Sequence, residues 1–263
     1  LQSVNDEDNM SKENLVSNTL SRKRFQEILH LFHQSTQQLG DDRNIIKIVT
    51  YDNQQLVVKS FKTPNFINKI AYRFFRKSKA ARSYYNAQHL VKNNIGTPMP
   101  IAYFEQFSGV GLQASYYVSA YVAHDFTYRE ITNDEALQDK VTILQQFSKF
   151  MYDMHDAGIY FMDHSPGNTL IKKRDGHYYF FLVDLNRMKF YNIPYEDRLK
   201  NFERLSPKKW MYEVMGEAYA RLSDEDAHTT IDIMWKYTQN FQEAFHRKKR
   251  LKKKLKGVFN RTR

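Results

Sequence analysis

The residues whose spacing carries the most chemistry lie between Ile159 and Phe190, in IYFMDHSPGNTLIKKRDGHYYFFLVDLNRMKF. Asp163 stands five residues before Asn168, and Asp184 follows sixteen residues later, closing the apolar run Phe180-Phe181-Leu182-Val183. A carboxylate, an amide and a second carboxylate suit phosphoryl transfer, which needs a base for the attacking hydroxyl and oxygen ligands for a divalent cation. The Asp-x4-Asn spacing alone carries little. Ser165-Pro166-Gly167-Asn168 also reads as a surface turn, because each of these residues favours turns for backbone reasons. A hairpin shifts the balance toward a site: Thr169-Leu170-Ile171 and Tyr178 to Val183 flank an Asp175-Gly176 turn. It leaves Asp184 where a buried strand ends, and an ionised group there needs a partner such as a metal.

A second candidate is Lys59, which follows Leu56-Val57-Val58. It reads either as an ordinary strand lysine with its amine in water or as a cation aimed at a nucleotide phosphate.

The elements that must position these residues follow from periodicity. Ser21 to Gln38 has Phe25, Ile28, Leu29 and Phe32 on one helical face. A turn over Leu39–Asn44 leads to a strand over Ile45–Val49, and Tyr51-Asp52-Asn53-Gln54 turns back into a second over Leu56–Phe61. Phe66 to Arg76 and Ser78 to Lys92 read as helices, and Ile101–Phe104 and Ser115–Val122 as strands. Leu137 to His155 is an amphipathic helix, with Val141, Leu144, Phe147, Met151 and Met154 on one face and Gly158 as its C-terminal cap. His155, near that end, reads as a packed or dipole-facing histidine rather than a catalyst. Helices follow around residues 196–205, 208–221 and 224–245. This order predicts an α+β chain of two lobes: a disordered lead over 1–20, an N-lobe over 21–120, a C-lobe over 121–245 and a basic tail over 246–263.

The chain has 263 residues, enough for one large domain or two small lobes, and its 41% hydrophobic and 15% aromatic content supports a real core. No apolar run approaches the length of a membrane span, and the polar start LQSVNDEDNMSKENL lacks a signal-peptide core. Cysteine is absent, which excludes disulfides and thiolate chemistry. The net charge of +11 is unevenly placed: His246–Arg263 holds ten Lys or Arg and Asn53–Phe104 holds nine, both without an acid. The rest carries 21 basic and 29 acidic side chains, so an acidic body bears two basic patches that attract phosphates.

Lys59 in VVK, a helix after it, and Asp163, Asn168 and Asp184 occur in the order a protein-kinase fold requires. More specifically, the chain resembles the bacterial lipopolysaccharide kinases, which phosphorylate Kdo or heptose sugars of the inner core. The resemblance rests on DDRNIIKI, VVKSFKTPNFINKIAYRFFRKSKAARSYYNA, IGTPMPIAY, SYYVSAYVAHDFTYRE, DHSPGNTLI and LVDLNRMKF, over roughly residues 39–190. It implies a protein-kinase-like fold, with a small antiparallel-sheet N-lobe and a mainly helical C-lobe. It also implies an ATP- and Mg²⁺-dependent sugar kinase at the cytoplasmic face of the inner membrane, acting on a lipopolysaccharide precursor or another anionic glycolipid.

By that resemblance Asp163 would orient the acceptor hydroxyl and take its proton, while Asn168 and Asp184 would hold Mg²⁺. Lys59 would contact the nucleotide phosphates beneath a turn of Gly40, Asp41, Asp42, Arg43 and Asn44. Backbone around Ser119, Ala120 and Tyr121 would meet adenine, and Ser165 and Arg187 would bind substrate or support the site. Three departures accompany the match. Phe161 stands where kinases carry a His, Gly40 is one glycine where protein kinases have three, and Tyr85 stands about where a Glu should pair with Lys59. Lys59 is then held by nucleotide and Mg²⁺ alone, or by a carboxylate from elsewhere, or catalysis is degraded. A pseudokinase binding a glycolipid or a protein, and a kinase of a soluble metabolite, are the competing readings. A peptide acceptor fits less well, because no Ala-Pro-Glu follows Asp184.

The tail HRKKRLKKKLKGVFNRTR, if helical, sets Leu251, Leu255 and Val258 or Phe259 on one face among Lys248, Lys249, Arg250, Lys252, Lys253, Lys254 and Lys256. Such a helix suits an anionic membrane surface. The alternative is a solvated tail. It lacks interleaved aromatics for base stacking, so no specific nucleic-acid binding is expected.

Overall fold

A computed structural model describes residues 12–39, 44–62, 76–108 and 111–259, with side chains to 253. The chain divides into two units, Leu1–Ala123 with Asp184–Arg187, and His124–Val183 with Met188–Arg263.

The first unit is built on a six-stranded sheet. Its strands are β1 (Lys12–Ser17), β2 (Gln38–Leu39), β3 (Asn44–Tyr51), β4 (Gln54–Phe61), β5 (Pro100–Ser108) and β6 (Gly111–Ala120), in the order β1-β5-β6-β4-β3-β2. The pairings recorded are antiparallel. The β3–β4 hairpin turns on Asp52 and Asn53, both at positive φ (48° and 60°), which short polar side chains tolerate. Side-chain alternation along β4 decides where Lys59 goes. Leu56 and Val58 join Ala102, Phe104 and Val118 against Phe25, Ile28 and Phe32 of helix α1 (Arg22–Gln34). Lys59 and Phe61 have the opposite parity, and Phe61 packs with Tyr103 against Ala80, Ala81 and Tyr84 of helix α2 (Lys79–Lys92). Lys59 therefore shares the α2 side of the sheet.

Several local expectations shift. Helix α1 ends at Gln34 rather than at Gln38: the Ser35 hydroxyl donates to Ile48 O at 3.1 Å and accepts from Gln37 N at 3.2 Å, turning the chain into β2. The stretch read as a lead contains β1, which pairs with β5. Leu15 packs on the α1 core and Val16 on the cluster around Phe61 and Tyr84, so two successive apolar residues each find a core on opposite faces. The helix read over Phe66–Arg76 lies outside the described residues, except for Arg76.

The second unit is mainly helical. Its helices are α3 (Tyr128–Asn133), α4 (Lys140–Asp156), α5 (Tyr195–Lys200), α6 (Lys209–Ser223) and α7 (Ala227–Phe259). Strands β7 (Phe126–Thr127), β9 (Thr169–Arg174) and β10 (His177–Leu182) form one small sheet, and β8 (Ile159–Phe161) and β11 (Met188–Phe190) another. Thr127 and Glu130 close a capping box at the start of α3, satisfying backbone donors reciprocally. Helix α4 buries Ile143, Leu144, Phe147, Ser148, Met151 and Met154, while Val141 is exposed. The helix begins at Lys140, so Val141 falls in its first turn, off the buried stripe. Gly158 ends α4 at φ +71°, and a Cβ there would stand 2.9 Å from Tyr191 O, so the residue turns the chain into β8 where no side chain fits.

Candidate functional site

In the second unit, β8 delivers the chain to Asp163 and a 3-10 turn over Pro166–Asn168 delivers it to β9. The turn is closed from within. Asn168 N donates to Ser165 O at 2.9 Å, and Asn168 Nδ2 donates to Asp163 O at 2.9 Å. The five-residue spacing is therefore structural: it lets the amide reach back across the turn and hold Asp163. With Nδ2 committed in this way, the Asn168 side chain has Oδ1 as its acceptor end. Asn168 O accepts from Val183 N at 3.0 Å, tying the turn to the residue before Asp184. The predicted hairpin is present, with Leu182 opposite Thr169 and a turn of Asp175 and Gly176 at φ 51° and 78°.

Two histidines pack beneath this segment. His164 is buried, with Nε2 3.2 Å from Thr169 Oγ1 and its ring stacked on Phe161 at 5.3 Å. His155 is buried between Tyr219 OH at 2.9 Å and Asn201 Oδ1 at 3.1 Å, in keeping with a packing role. Burial pushes both imidazoles from the ordinary 6.5 down to about 3. Both are neutral when folded but take up protons below about 6.5 when unfolded. Stability is thus retained above pH 6.5 and lost as pH falls from there toward 3. Between pH 7.5 and 5.5 the expected loss is about 2–3 kcal/mol for the pair. Urea midpoints across that window check it, and a constant midpoint, or one that rises in acid, contradicts it.

In the first unit Lys59 is buried, at 9% exposure, and its Nζ pairs with Asp184 Oδ1. A buried ammonium needs such a partner. Asn53–Phe104 offers none, and the carboxylate arrives from a residue far along the chain. Asp184 adopts φ 62°, a left-handed conformation that a short polar side chain tolerates, and Asn186 Nδ2 donates to its Oδ1 at 2.9 Å. Asn86 of α2 donates to Leu185 O at 2.6 Å. So α2 supports the segment after Asp184, while Tyr85, one residue earlier, reaches Tyr103 OH at 3.3 Å.

The other expected positions are less concentrated. Gly40, Asp41, Asp42 and Arg43 lie outside the described residues. Asn44 opens β3 opposite Phe61, and its Oδ1 is buried without a hydrogen-bond partner among the described residues. Ser119 and Ala120 end β6 opposite Val57 and Leu56. Ala120 N donates to Met99 O and Tyr121 N to Gln55 O, both at 2.9 Å, so an adenine there would meet groups other than these two donors. Ser165 is half-buried and Arg187 is exposed. Lys248, Lys249, Arg250, Lys252 and Lys253 are exposed on α7; Lys254 and Lys256 continue the helix, with side chains outside the described set.

Four residues in these networks gave no sequence signal: Asn86, Asn186, Asn201 and Arg204. Asn186 had the best chance, standing two residues after Asp184. Arg204 lies 3.1 Å from Met162 O and 3.4 Å from Asp163 Oδ1, a contact that spans 41 positions and leaves no local pattern.

Residues 47–233 match the model of the lipopolysaccharide kinase (Kdo/WaaP) family. The chain belongs to that family. The match includes Lys59, Asp163, Asn168 and Asp184. Among solved structures, one described as WaaP in complex with acyl carrier protein aligns with a TM-score of 0.59 and 16% identity. It covers 86% of this chain and 98% of its own. At that identity the likeness establishes the fold, an α+β kinase-like fold with an N-terminal antiparallel sheet followed by a mainly helical part. The Rio2 kinase of Chaetomium thermophilum, solved with ADP/Mg²⁺ and phosphoaspartate, aligns with a TM-score of 0.46 and 12% identity over 86% of this chain and 81% of its own. A search of the curated proteins gave no match.

Proposed function

We propose that this member of the lipopolysaccharide kinase family is an ATP- and Mg²⁺-dependent kinase that phosphorylates a sugar hydroxyl of the inner core, Kdo or heptose. The observation that carries the reading is that the family match encloses Lys59, Asp163, Asn168 and Asp184 in kinase order. Asp163 orients the acceptor hydroxyl and takes its proton, Lys59 faces the nucleotide phosphates, and Asn168 and Asp184 are the metal ligands. The donor set suits magnesium, because an amide oxygen and a carboxylate are hard oxygen ligands. When bound, the ion neutralises charge on the transferring phosphoryl group. The remaining contribution of the chain is positioning: Asn168 holds Asp163, and Asp184 holds Lys59 in a site that would otherwise bury a lone ammonium. That pair supplies Lys59 with the carboxylate that Asn53–Phe104 lacks.

The test is incubation with ATP, Mg²⁺ and Kdo–lipid A or a heptosylated acceptor, followed by mass spectrometry. One added phosphate on the sugar is expected. ATP binding with no transfer to any inner-core acceptor supports the pseudokinase instead, and transfer to a free soluble sugar alone supports the metabolite kinase.

The acceptor's location gives the basic tail a role. Helix α7 continues to Phe259, carrying exposed Lys and Arg with Leu251 55% exposed among them. Among the described residues no helix is long and apolar enough to cross a membrane. Surface attraction of about 1 kcal/mol per cation would hold the chain at an anionic leaflet, here the cytoplasmic face of the inner membrane. Sedimentation with phosphatidylglycerol vesicles should show binding that salt weakens. Binding that is absent or insensitive to salt argues for a solvated tail.

A further inference from the structure

We propose that Asn201 and Arg204 are positioning residues for Asp163, gripping its strand from outside in place of the histidine absent at Phe161. The inference rests on the assignment of Asp163 as base. The Phe161 side chain packs its ring on His164. The backbone leading to Asp163 is instead held from a distance at two consecutive carbonyls. Asn201 Nδ2 donates to Phe161 O at 2.8 Å, and Arg204 Nη1 donates to Met162 O at 3.1 Å. The same Nη1 lies 3.4 Å from Asp163 Oδ1, so Arg204 restrains the carboxylate as well as the backbone before it. Asn201 and Arg204 are three residues apart in the turns that follow α5, a spacing that sets both side chains toward one strand.

Each gripping residue is itself fixed. With Asn201 Nδ2 given to Phe161 O, Asn201 Oδ1 accepts from His155 Nε2–H, and His155 Nδ1 accepts from Tyr219 O–H. Three linked bonds thus run from α6 through α4 to the strand. The Arg204 guanidinium lies over the Phe241 ring, 5.5 Å from its centroid, which leaves its donors aimed at residues 162 and 163. Asn201 is 5% exposed, but the Arg204 side chain is 35% exposed, so Arg204 can be changed with less damage to the core.

A base misplaced by roughly 1 Å costs on the order of 100-fold in rate. In the full chain, Arg204→Met should lower kcat by about 30- to 100-fold while KM for ATP and for the acceptor stays within about twofold and the unfolding midpoint holds. Arg204→Lys, which keeps a charged donor but not the planar group over Phe241, should fall between wild type and Arg204→Met, and free guanidinium at about 10 mM should restore part of the Arg204→Met rate. Amide exchange at residues 162–164 should rise about tenfold or more in Arg204→Met, whatever the acceptor. Wild-type kcat in Arg204→Met overturns the proposal, as does a loss confined to acceptor KM, which would make Arg204 a substrate-binding residue. If Arg204→Met does not fold, Arg204→Lys decides by the same split between kcat and KM. If the wild-type chain itself transfers nothing, the kinase reading fails, and unchanged exchange at 162–164 in the folded variant separately sinks the grip.

Discussion

Asp163→Asn should reduce phosphoryl transfer by about 100- to 10,000-fold while ATP still binds with wild-type affinity. The substitution is close to isosteric. Asn168 Nδ2 bonds the backbone carbonyl of residue 163, which is unaltered, so the turn stays closed. An amide oxygen can still accept from Arg204 Nη1, so that contact is kept too. What disappears is the ability to take a proton from the acceptor hydroxyl. Single-turnover rates measured beside nucleotide-binding isotherms separate the two properties. A variant that keeps more than about a tenth of the wild-type rate rules out Asp163 as the base, since general-base removal is far more costly.

Asp184→Asn should remove the Mg²⁺-dependent part of nucleotide binding and, separately, destabilise the first unit. The first effect follows from the proposed ligand role of Asp184, because Mg²⁺ relies on one or two carboxylates plus substrate phosphates. The second follows from Lys59, whose buried ammonium loses its charged partner. Asp184 is 36% exposed, which limits that cost to about 1–2 kcal/mol. Calorimetry with ATP at graded Mg²⁺ reads the first, and a urea midpoint reads the second. Unchanged Mg²⁺ dependence counts against the ligand role, whereas an unchanged midpoint with lost Mg²⁺ dependence would leave only the pairing with Lys59 in question. The double variant Lys59→Met with Asp184→Asn should recover part of the stability, because it removes both charges together.

What could be read from the sequence and what could not divides along sequence distance. The β9–β10 hairpin was legible because Asp175-Gly176 supplies two positive-φ positions between apolar runs. Lys59 was legible as a strand residue because it follows the apolar run Leu56-Val57-Val58, and Gly158 as a helix end because the chain must turn there with no Cβ. Asp163 and Asn168 were read as a pair only because the hairpin and Asp184 follow them, and the structure gives their spacing a physical cause in one side-chain hydrogen bond. Contacts across long separations left no trace. Lys59 meets Asp184 across 125 positions, so an acid-free stretch around Lys59 looked like a deficiency when the partner simply comes from elsewhere. The grip of Asn201 and Arg204 on residues 161–163 was invisible for the same reason. β1 was hidden differently: Leu15 and Val16 are two apolar residues in a polar stretch, too few for a periodic signal, yet each has a core to enter.

The most direct test follows the γ-phosphate itself. ATP labelled at that position is incubated with Mg²⁺ and an inner-core acceptor, using wild type beside Asp163→Asn and Asp184→Asn, and the label on the isolated acceptor is counted. Label should appear on the sugar with wild type and fall to background with both variants. Equal labelling by all three would contradict the assignment of these residues, and label on none of the inner-core acceptors with wild type would contradict the proposed activity.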